Sequence, residues 1–286
     1  GRRAVVTGAS KGIGLAVAQV LAAEGCDVHL VARSAGDLRT VCEAIGANAR
    51  GSISFDAFDL SDSRNVDRLC ESQSGLDILV NNAGVGGNAV VEECSSELYL
   101  DVMNVNLCGV TRCTQAVLPQ MRERGSGTII NITSVVGRIA VPAQSPYVAS
   151  KWALEGISEE LAQELAPFGI RVAIVEPGVT KSAIFAKNID APNSTGAYET
   201  HYRRMFQMYA AGMAGATDPF EVGRVIERAI ITDNPQLRYP VSWGGIEMAA
   251  LHDRIDDDDW IGLGMIEDDA DYVARFNEIF DVDIAT

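Results

Sequence analysis

Short runs of consecutive apolar residues alternate along this chain with stretches whose apolar residues recur every three or four positions. Ala4–Thr7 is one such short run, followed by a glycine-rich turn. Ile13–Glu24 then carries Ala, Val and Leu on one helical face. Asp27–Ala32 is predicted as the second strand, Leu38–Ile45 as a short helix and Ile53–Phe58 as the third strand. Ser61 has the chemistry of an N-cap, for a helix running through Cys70. Leu76–Asn81 is nearly all apolar, the pattern of a strand covered on both faces. A long helical region spans Glu97–Arg122 with Pro119 near its end, then come a strand at Thr128–Ile132, a helix at Pro146–Leu165 and a sixth strand at Arg171–Val175. Such alternation predicts βαβ units with right-handed crossovers. The fold class is therefore α/β, a doubly wound parallel sheet flanked by helices.

The rhythm breaks at Lys181–Asp218, where Pro, Asn, Ser and Gly surround one helical piece, Tyr202–Ala211. An irregular insertion after a sheet strand is the usual form of a lid. Pro219–Ile231 resumes as a helix and Leu237–Val241 is a candidate last strand. We expect one domain over residues 1–245, with 181–218 as its lid, and an acidic extension over 246–286 packed against it. In that extension Asp256–Asp259 suit a helix N-terminus rather than a calcium loop, and Val273, Phe276 and Phe280 share a helical face.

Composition narrows the function. The chain has 286 residues, 47% hydrophobic and 22% charged, which excludes disordered and collagen-like classes. Its 39 acidic against 23 basic residues leave a net charge of −16. A surface so negative repels nucleic acid, anionic lipid and a bulky acidic carrier protein. No uninterrupted apolar window is long enough to span a membrane, and the opening run is too short for a signal peptide. The six cysteines form no CxxC pair, as in a reduced, cytoplasmic protein. The three histidines, His29, His201 and His252, have no metal-binding spacing, and no GxSxG elbow occurs, so neither a metal site nor a serine hydrolase is expected.

The first strand runs into Thr7-Gly8-Ala9-Ser10-Lys11-Gly12-Ile13-Gly14 and then a helix. Strand, glycine turn and helix make a dinucleotide cradle, with free helix N–H groups facing a pyrophosphate. Gly8 and Gly12 allow a tight turn and Gly14 a close helix. Gly8, Ser10, Lys11, Gly12, Ile13 and Gly14 are thus candidate cofactor contacts. After the second strand come Arg33 and Ser34 in place of a carboxylate that would repel a 2′-phosphate, and Arg33 and Lys11 suit that phosphate. Tyr147-Val-Ala-Ser-Lys151 sets Tyr and Lys on one helical face, and Ser134 stands thirteen residues before the tyrosine.

With its TGxxxGxG loop and YxxxK pair, the sequence resembles the short-chain dehydrogenases/reductases over about residues 3–241. The resemblance implies a Rossmann-like fold and a catalytic tetrad of Asn106, Ser134, Tyr147 and Lys151. It implies that basic residues at Lys11 and Arg33 go with NADP(H). It further implies that Asp59 and Leu60 hold the adenine, that Asn82, Ala83 and Gly84 of the Asn81-Asn82-Ala83-Gly84 segment border the adenine ribose, and that Pro177, Gly178, Val179, Thr180 and Ser182 border the nicotinamide. Tyr147 would be the general acid/base, its pKa lowered by the Lys151 ammonium and the oxidised nicotinamide. Lys151 would also hold the nicotinamide ribose, Ser134 the substrate oxygen, and Asn106 a water.

The expected activity is interconversion of an apolar secondary alcohol and a ketone. The pocket would be lined from Ile184, Phe185, Tyr198, Tyr202, Met205, Phe206, Met208 and Tyr209. Two alternatives remain: a non-catalytic NADP(H)-binding sensor or scaffold, and a 3-oxoacyl thioester reductase. A homodimer or homotetramer through the two long helices is a further expectation of the resemblance.

Overall fold

The computed structural model describes residues 1–62, 64, 74–182, 192–251 and 254–285. Seven strands form one parallel sheet: β1 (Arg3–Thr7), β2 (Asp27–Ala32), β3 (Ile53–Ala57), β4 (Ile78–Asn81), β5 (Gly127–Ile132), β6 (Ile170–Pro177) and β7 (Arg238–Val241). Their order is β3-β2-β1-β4-β5-β6-β7. The chain therefore winds one way from β1 to β3, then crosses back to place β4 on the other side of β1. The carboxyl ends of β1 and β4 diverge there, leaving the crevice in which such sheets bind ligands.

Successive side chains of each strand feed two cores. Ala4, Val6, Val28, Leu30, Ile78 and Val80 face one side. They pack against α1 (Gly12–Ala23), α2 (Ala35–Gly46) and α7 (Pro219–Ile231) through Val17, Leu21, Leu38 and Ile226. Val5, Val31, Leu79 and Ile129 face the other side. They meet Cys113, Val117 and Met121 of α4 (Gly109–Arg124) and Leu165 of α5 (Ser145–Leu165). Period two along the strand thus sorts the apolar run onto two faces, which is why apolar residues stand at successive positions.

The fold is the predicted one, a single domain with a helical extension, and the differences are local. The expected helix at 97–122 is α3 (Ser96–Met103), a π-turn over Asn104–Cys108, and α4. Helix α2 begins three residues earlier than expected, because the Ser34 hydroxyl accepts from the Asp37 amide and caps it. β6 runs two residues further than expected, to Pro177, because β7 continues to pair with it there. The helix expected from Ser61 to Cys70 falls largely on residues outside those described, whereas Ser61 itself donates its amide to Asp59 at 2.9 Å.

Past β6, α6 (Glu199–Ala214) extends three residues beyond the expected Tyr202–Ala211 at each end. Then come α7, β7, α8 (Gly245–Leu251), α9 (Asp257–Met265) and α10 (Asp269–Phe280). Asp256 caps α9 by accepting from the Asp259 amide. Phe276 and Phe280 are buried, with Val273 against them, in a third core that includes Val135, Val136 and Val141 from the segment after β5.

Candidate active site

At the carboxyl ends of the strands lies a cavity of about 620 Å³. Its near end is the turn from β1 into α1. Gly8 and Gly12 both have positive φ, 65° and 57°. A Cβ on Gly8 would come within 2.9 Å of the Ala83 backbone. A Cβ on Gly14 would collide with the Gly8 carbonyl and the Asn82 amide. Gly14 therefore lets α1 approach the sheet, and its position is behind the cavity wall, unlike Gly8, Ser10, Lys11, Gly12 and Ile13, which line it. No side chain caps α1. Its first N–H groups have no helical partner, and Gly12 and Ile13 bring them to the cavity, an arrangement that fits a pyrophosphate.

The Asn81-Asn82-Ala83-Gly84 segment is stitched to β1. The Thr7 hydroxyl accepts from the Asn82 and Ala83 amides at 3.0 Å each, and Asn82 Nδ2 donates to the Thr7 carbonyl at 2.9 Å. These bonds hold Asn82, Ala83 and Gly84 on the wall. Asp59 and Leu60 line it beyond β3, and Arg33 and Ser34 beyond β2. One expectation needs correcting here. The sequence showed no carboxylate near Arg33, yet Asp37 also lines this end of the cavity, because the Ser34 cap turns the first turn of α2 toward it.

Ser134, Tyr147 and Lys151 meet at the other end. Ser134 follows β5, and its hydroxyl donates to the Pro177 carbonyl at 3.3 Å and bonds the Tyr147 hydroxyl. Tyr147 and Lys151 are one turn apart on α5, with Lys151 Nζ 5.7 Å from the tyrosine ring centre. Lys151 is buried and donates to the Ile132 carbonyl at 2.9 Å. Burial sets both groups. It pushes the Tyr147 hydroxyl up to about 12, against the Ser134 hydrogen bond. It pushes the Lys151 ammonium down to about 8, against the attraction of Glu155 one turn further along α5. The expected lowering of Tyr147 is thus not achieved by the chain's own groups, since removal from water outweighs them.

Asn106 lies apart from this trio in the π-turn, wholly buried and off the cavity wall. Its Oδ1 accepts from the Val85 amide at 2.8 Å. Its Nδ2 donates to the Val85 carbonyl and to the Ser150 hydroxyl, both at 2.9 Å. Both amide protons are committed, so in this arrangement Asn106 braces the loop after β4 against α5. Pro177, Gly178, Val179, Thr180 and Ser182 all line the cavity. The Thr180 hydroxyl is paired with Ser242 at 2.9 Å, while Ser182 sits beside Gly12.

Of the apolar residues expected in the lid, Met208 and Tyr209 reach the cavity. Burial raises the Tyr209 hydroxyl, which donates to Asn88 at 3.0 Å. Tyr202 and Met205 are packed inside a small core with Val90 and Ala143 instead, and Phe206 is exposed. Tyr198 hydrogen-bonds Glu92. Ile184 and Phe185 lie outside the described residues. Missing from the sequence expectation were Val85, Val141, Gln144, Trp243 and Met248 on the wall. Trp243 and Met248 arrive there because β7 pairs with β6, a long-range contact with no local signal.

The short chain dehydrogenase family model matches residues 2–193. The chain belongs to the short-chain dehydrogenase family. Within it, the chain is 34% identical over 250 residues to an uncharacterized oxidoreductase, YusZ, of Bacillus subtilis, covering 84% of this chain and 89% of that one. It is 34% identical over 248 residues to human 17-beta-hydroxysteroid dehydrogenase type 1, covering 82% and 76%. A solved short-chain dehydrogenase from Streptomyces avermitilis superposes with a TM-score of 0.79 at 32% identity, over 93% of this chain and 98% of the other. Solved relatives of this short-chain dehydrogenase hold either nucleotide. A metagenomic oxidoreductase is in complex with NADP (29% identity, TM-score 0.68, 84% and 96% covered), and a Burkholderia phymatum protein with NAD (25%, 0.72, 83% and 88%). The chain is thus an oxidoreductase of a family that binds nicotinamide nucleotides and small-molecule substrates.

Proposed function

We propose that this short-chain dehydrogenase is an NADP(H)-dependent reductase of apolar ketones, running in reverse as a secondary-alcohol dehydrogenase. The observation that carries it is the meeting of Ser134, Tyr147 and Lys151 at the end of the cavity opposite the glycine turn, beside an apolar wall of Val141, Met208 and Met248.

Gly8, Ser10, Lys11, Gly12 and Ile13 would hold the pyrophosphate side of the nucleotide, with Gly14 setting the helix behind them. Asp59, Leu60, Asn82, Ala83 and Gly84 would hold its adenosine end. Pro177, Gly178, Val179, Thr180 and Ser182 would border the nicotinamide, with Thr180 held in place there by its bond to Ser242. The bound nucleotide supplies the hydride for the carbonyl carbon. Ser134 holds the substrate oxygen, and the Tyr147 hydroxyl gives that oxygen its proton. The Lys151 ammonium lowers the cost of the phenolate left behind and holds the nicotinamide ribose. Asn106 keeps the loop and α5 in register for both.

Arg33 and Lys11 favour the 2′-phosphate, and Asp37 opposes it, so the preference for NADP(H) turns on the balance of these three. Arg33→Ala is expected to raise KM for NADPH about tenfold or more while leaving NADH little changed. The reaction itself is tested by NADPH oxidation at 340 nm with a panel of ketones, for wild type and Tyr147→Phe. Turnover should fall by about 10²–10⁴ in the variant. Equal rates would dismiss Tyr147 as the proton donor.

Five free thiols among the described residues suit a cytoplasmic protein, and no described helix is long and apolar enough to cross a membrane. Exposed Leu100 on α3 and Trp152 on α5 support a homodimer or homotetramer built on the long helices.

A further inference from the structure

Behind the catalytic trio lies a cluster of charge that the reaction as drawn does not use. Glu155 stands on α5 one turn past Lys151, and Glu176 is the residue of β6 before Pro177; both carboxylates are buried. Two guanidiniums serve them. Arg238 of β7 donates from Nη2 to Glu155 Oε2 at 3.1 Å, and its Nε lies 3.2 Å from Glu176 Oε1. Arg138, four residues after Ser134, donates to Glu176 Oε1 at 3.4 Å. Arg238 also donates to Glu159, an exposed carboxylate one turn further along α5, at 2.5 Å. None of these side chains lines the cavity. The cluster instead ties together the catalytic helix, the segment after the serine, the strand that ends at Pro177 and the strand that leads to Trp243.

The two carboxylates are served unequally. Glu176 has both guanidiniums at one oxygen, and burial, then the like charge of Glu155, pushes its carboxyl up to about 7. Glu155 has one oxygen on Arg238. Its other oxygen, Oε1, is cut off from water and has no hydrogen-bond partner among the described residues. The Thr133 hydroxyl beside it donates to the Val175 carbonyl instead. A buried carboxylate oxygen without a donor is costly unless opposite charge stands near it. Lys151 is the only cation on α5, and residues four apart share a helical face. Both lie under the turn after Ser134, where a Cβ on Gly137 would come within 3.0 Å of Glu155 Cγ and 3.1 Å of the Lys151 carbonyl. The hydrogen bond of the ammonium itself goes to a neutral acceptor, the Ile132 carbonyl. Among the described residues, Glu155 supplies the charge that opposes the loss of its proton. Arg138, Arg238 and Glu176 face Glu155 rather than Lys151, and Glu159 joins the cluster through Arg238.

We propose that Glu155 is a positioning residue for the reaction: its carboxylate, fixed by Arg238, keeps the proton on the Lys151 ammonium inside a wall from which water is excluded. In an open site water would stabilise that charge. Here burial already brings the lysine down to about 8, and without the carboxylate it would give up its proton nearer neutrality. The proposal rests on the ketone-reductase assignment for its effect on turnover, but not for its effect on Lys151.

The test follows the ammonium directly. The chain has four lysines, Lys11, Lys151, Lys181 and Lys187. Carbon-13 lysine labelling therefore gives a small set of Cε signals, and the one lost in Lys151→Met is assigned. The full chain is titrated by NMR, and kcat/KM for 2-decanone with NADPH is measured over the same pH range. Glu155→Gln keeps the size of the side chain and an acceptor for Arg238 but loses the charge. Glu155→Gln combined with Arg238→Gln removes both charges of the pair, so that no ion is stranded should the single variant fail to fold. Glu159→Gln removes an equal charge from the other partner of Arg238 and is the control. Lys151 should titrate near 8 in wild type and in Glu159→Gln, and about one pH unit lower in both proteins that lack the Glu155 charge. The alkaline limb of kcat/KM should move down with it, leaving the rate about tenfold below wild type above the limb and unchanged well below it. A Lys151 midpoint equal in all the proteins overturns the role. So does a midpoint that falls while the limb stays, or a kcat/KM lowered by the same factor at every pH. If 2-decanone is not turned over and the midpoint still falls, the reductase assignment falls and the hold of Glu155 on Lys151 stands.

Discussion

Lys151 and Tyr147 stand one turn apart on α5 and are moved in opposite directions by the same burial. In the unfolded chain the lysine titrates near 10.5, and in the fold near 8. Between those values the folded chain holds fewer protons than the unfolded one, so Lys151 makes stability rise with pH over that window, and below pH 8 its cost is fully present. Tyr147 is raised from 10 to about 12, so above pH 10 it makes stability fall as pH rises. Lys151→Met removes the first slope. Urea unfolding from pH 7.5 to 10 should show wild type gaining stability relative to the variant. Parallel curves would mean that Lys151 is not held in the dry wall that its bond to Ile132 describes. The same lowered value limits activity: kcat/KM for ketone reduction should descend at or above pH 8, as the ammonium that supports Tyr147 is lost. Residue identities such as these were legible in the sequence from the YxxxK spacing and the upstream serine. Their protonation was not, because desolvation is a property of the packed site. Asp37 escaped notice for a related reason. Only the Ser34 cap, which starts α2 early, brings that carboxylate to the cavity beside Arg33.

At the level of elements, strands declare themselves better than the turns between them. The nearly continuous apolar runs of β1 and β4 forecast two covered faces, and alternation of Val5 with Ala4 and Val6 between two cores bears that out. The break between α3 and α4 was not legible. Its cause is Asn106, whose partners are Val85, 21 residues back, and Ser150, 44 residues on. Such π-turns are frequent at functional sites because one residue is displaced out of helical register. Asn106→Ala would leave the Val85 amide, its carbonyl and the Ser150 hydroxyl without their partner, at about 1–3 kcal/mol for each group left unsatisfied. We expect a lower urea midpoint and a loss of turnover together, with Asn106→Asp unable to restore either, since a carboxylate cannot donate to Val85 and Ser150. The glycine turn gives a sharper contrast. Gly14→Ala places a methyl against the Gly8 carbonyl and Asn82, and overpacking of this kind costs about 1–3 kcal/mol. It should weaken NADPH binding, measured by fluorescence titration, without touching the cavity wall directly. Unchanged affinity would mean that α1 has room to move.

For the whole molecule, the extension is joined to the body through the very segment that carries the serine. Val135 and Val136, immediately after Ser134, share a core with Leu263, Tyr272, Phe276 and Phe280. The shared helical face of Phe276 and Phe280 was visible in the sequence, but its target was not, since the contact spans more than a hundred residues. Phe280 is fully buried, its ring tilted against Phe276 at 4.5 Å between centres and edge-on to Trp260. Phe280→Ala should cost about 3–5 kcal/mol through lost burial and the cavity left behind. In a chain of this size that lowers Tm by roughly 6–20 °C, readable by calorimetry. The consequence for the site follows from position. Loosening Phe280 frees Val135 and Val136, and with them the backbone that aims the Ser134 hydroxyl between Tyr147 and the Pro177 carbonyl. The variant should therefore lose kcat for even the small ketone 2-butanone at temperatures well below its Tm. Cofactor affinity should hold, because the glycine turn and the Asn82 segment are stitched to β1 rather than to the extension. If kcat is kept and only stability falls, the extension supports the fold without aligning the serine.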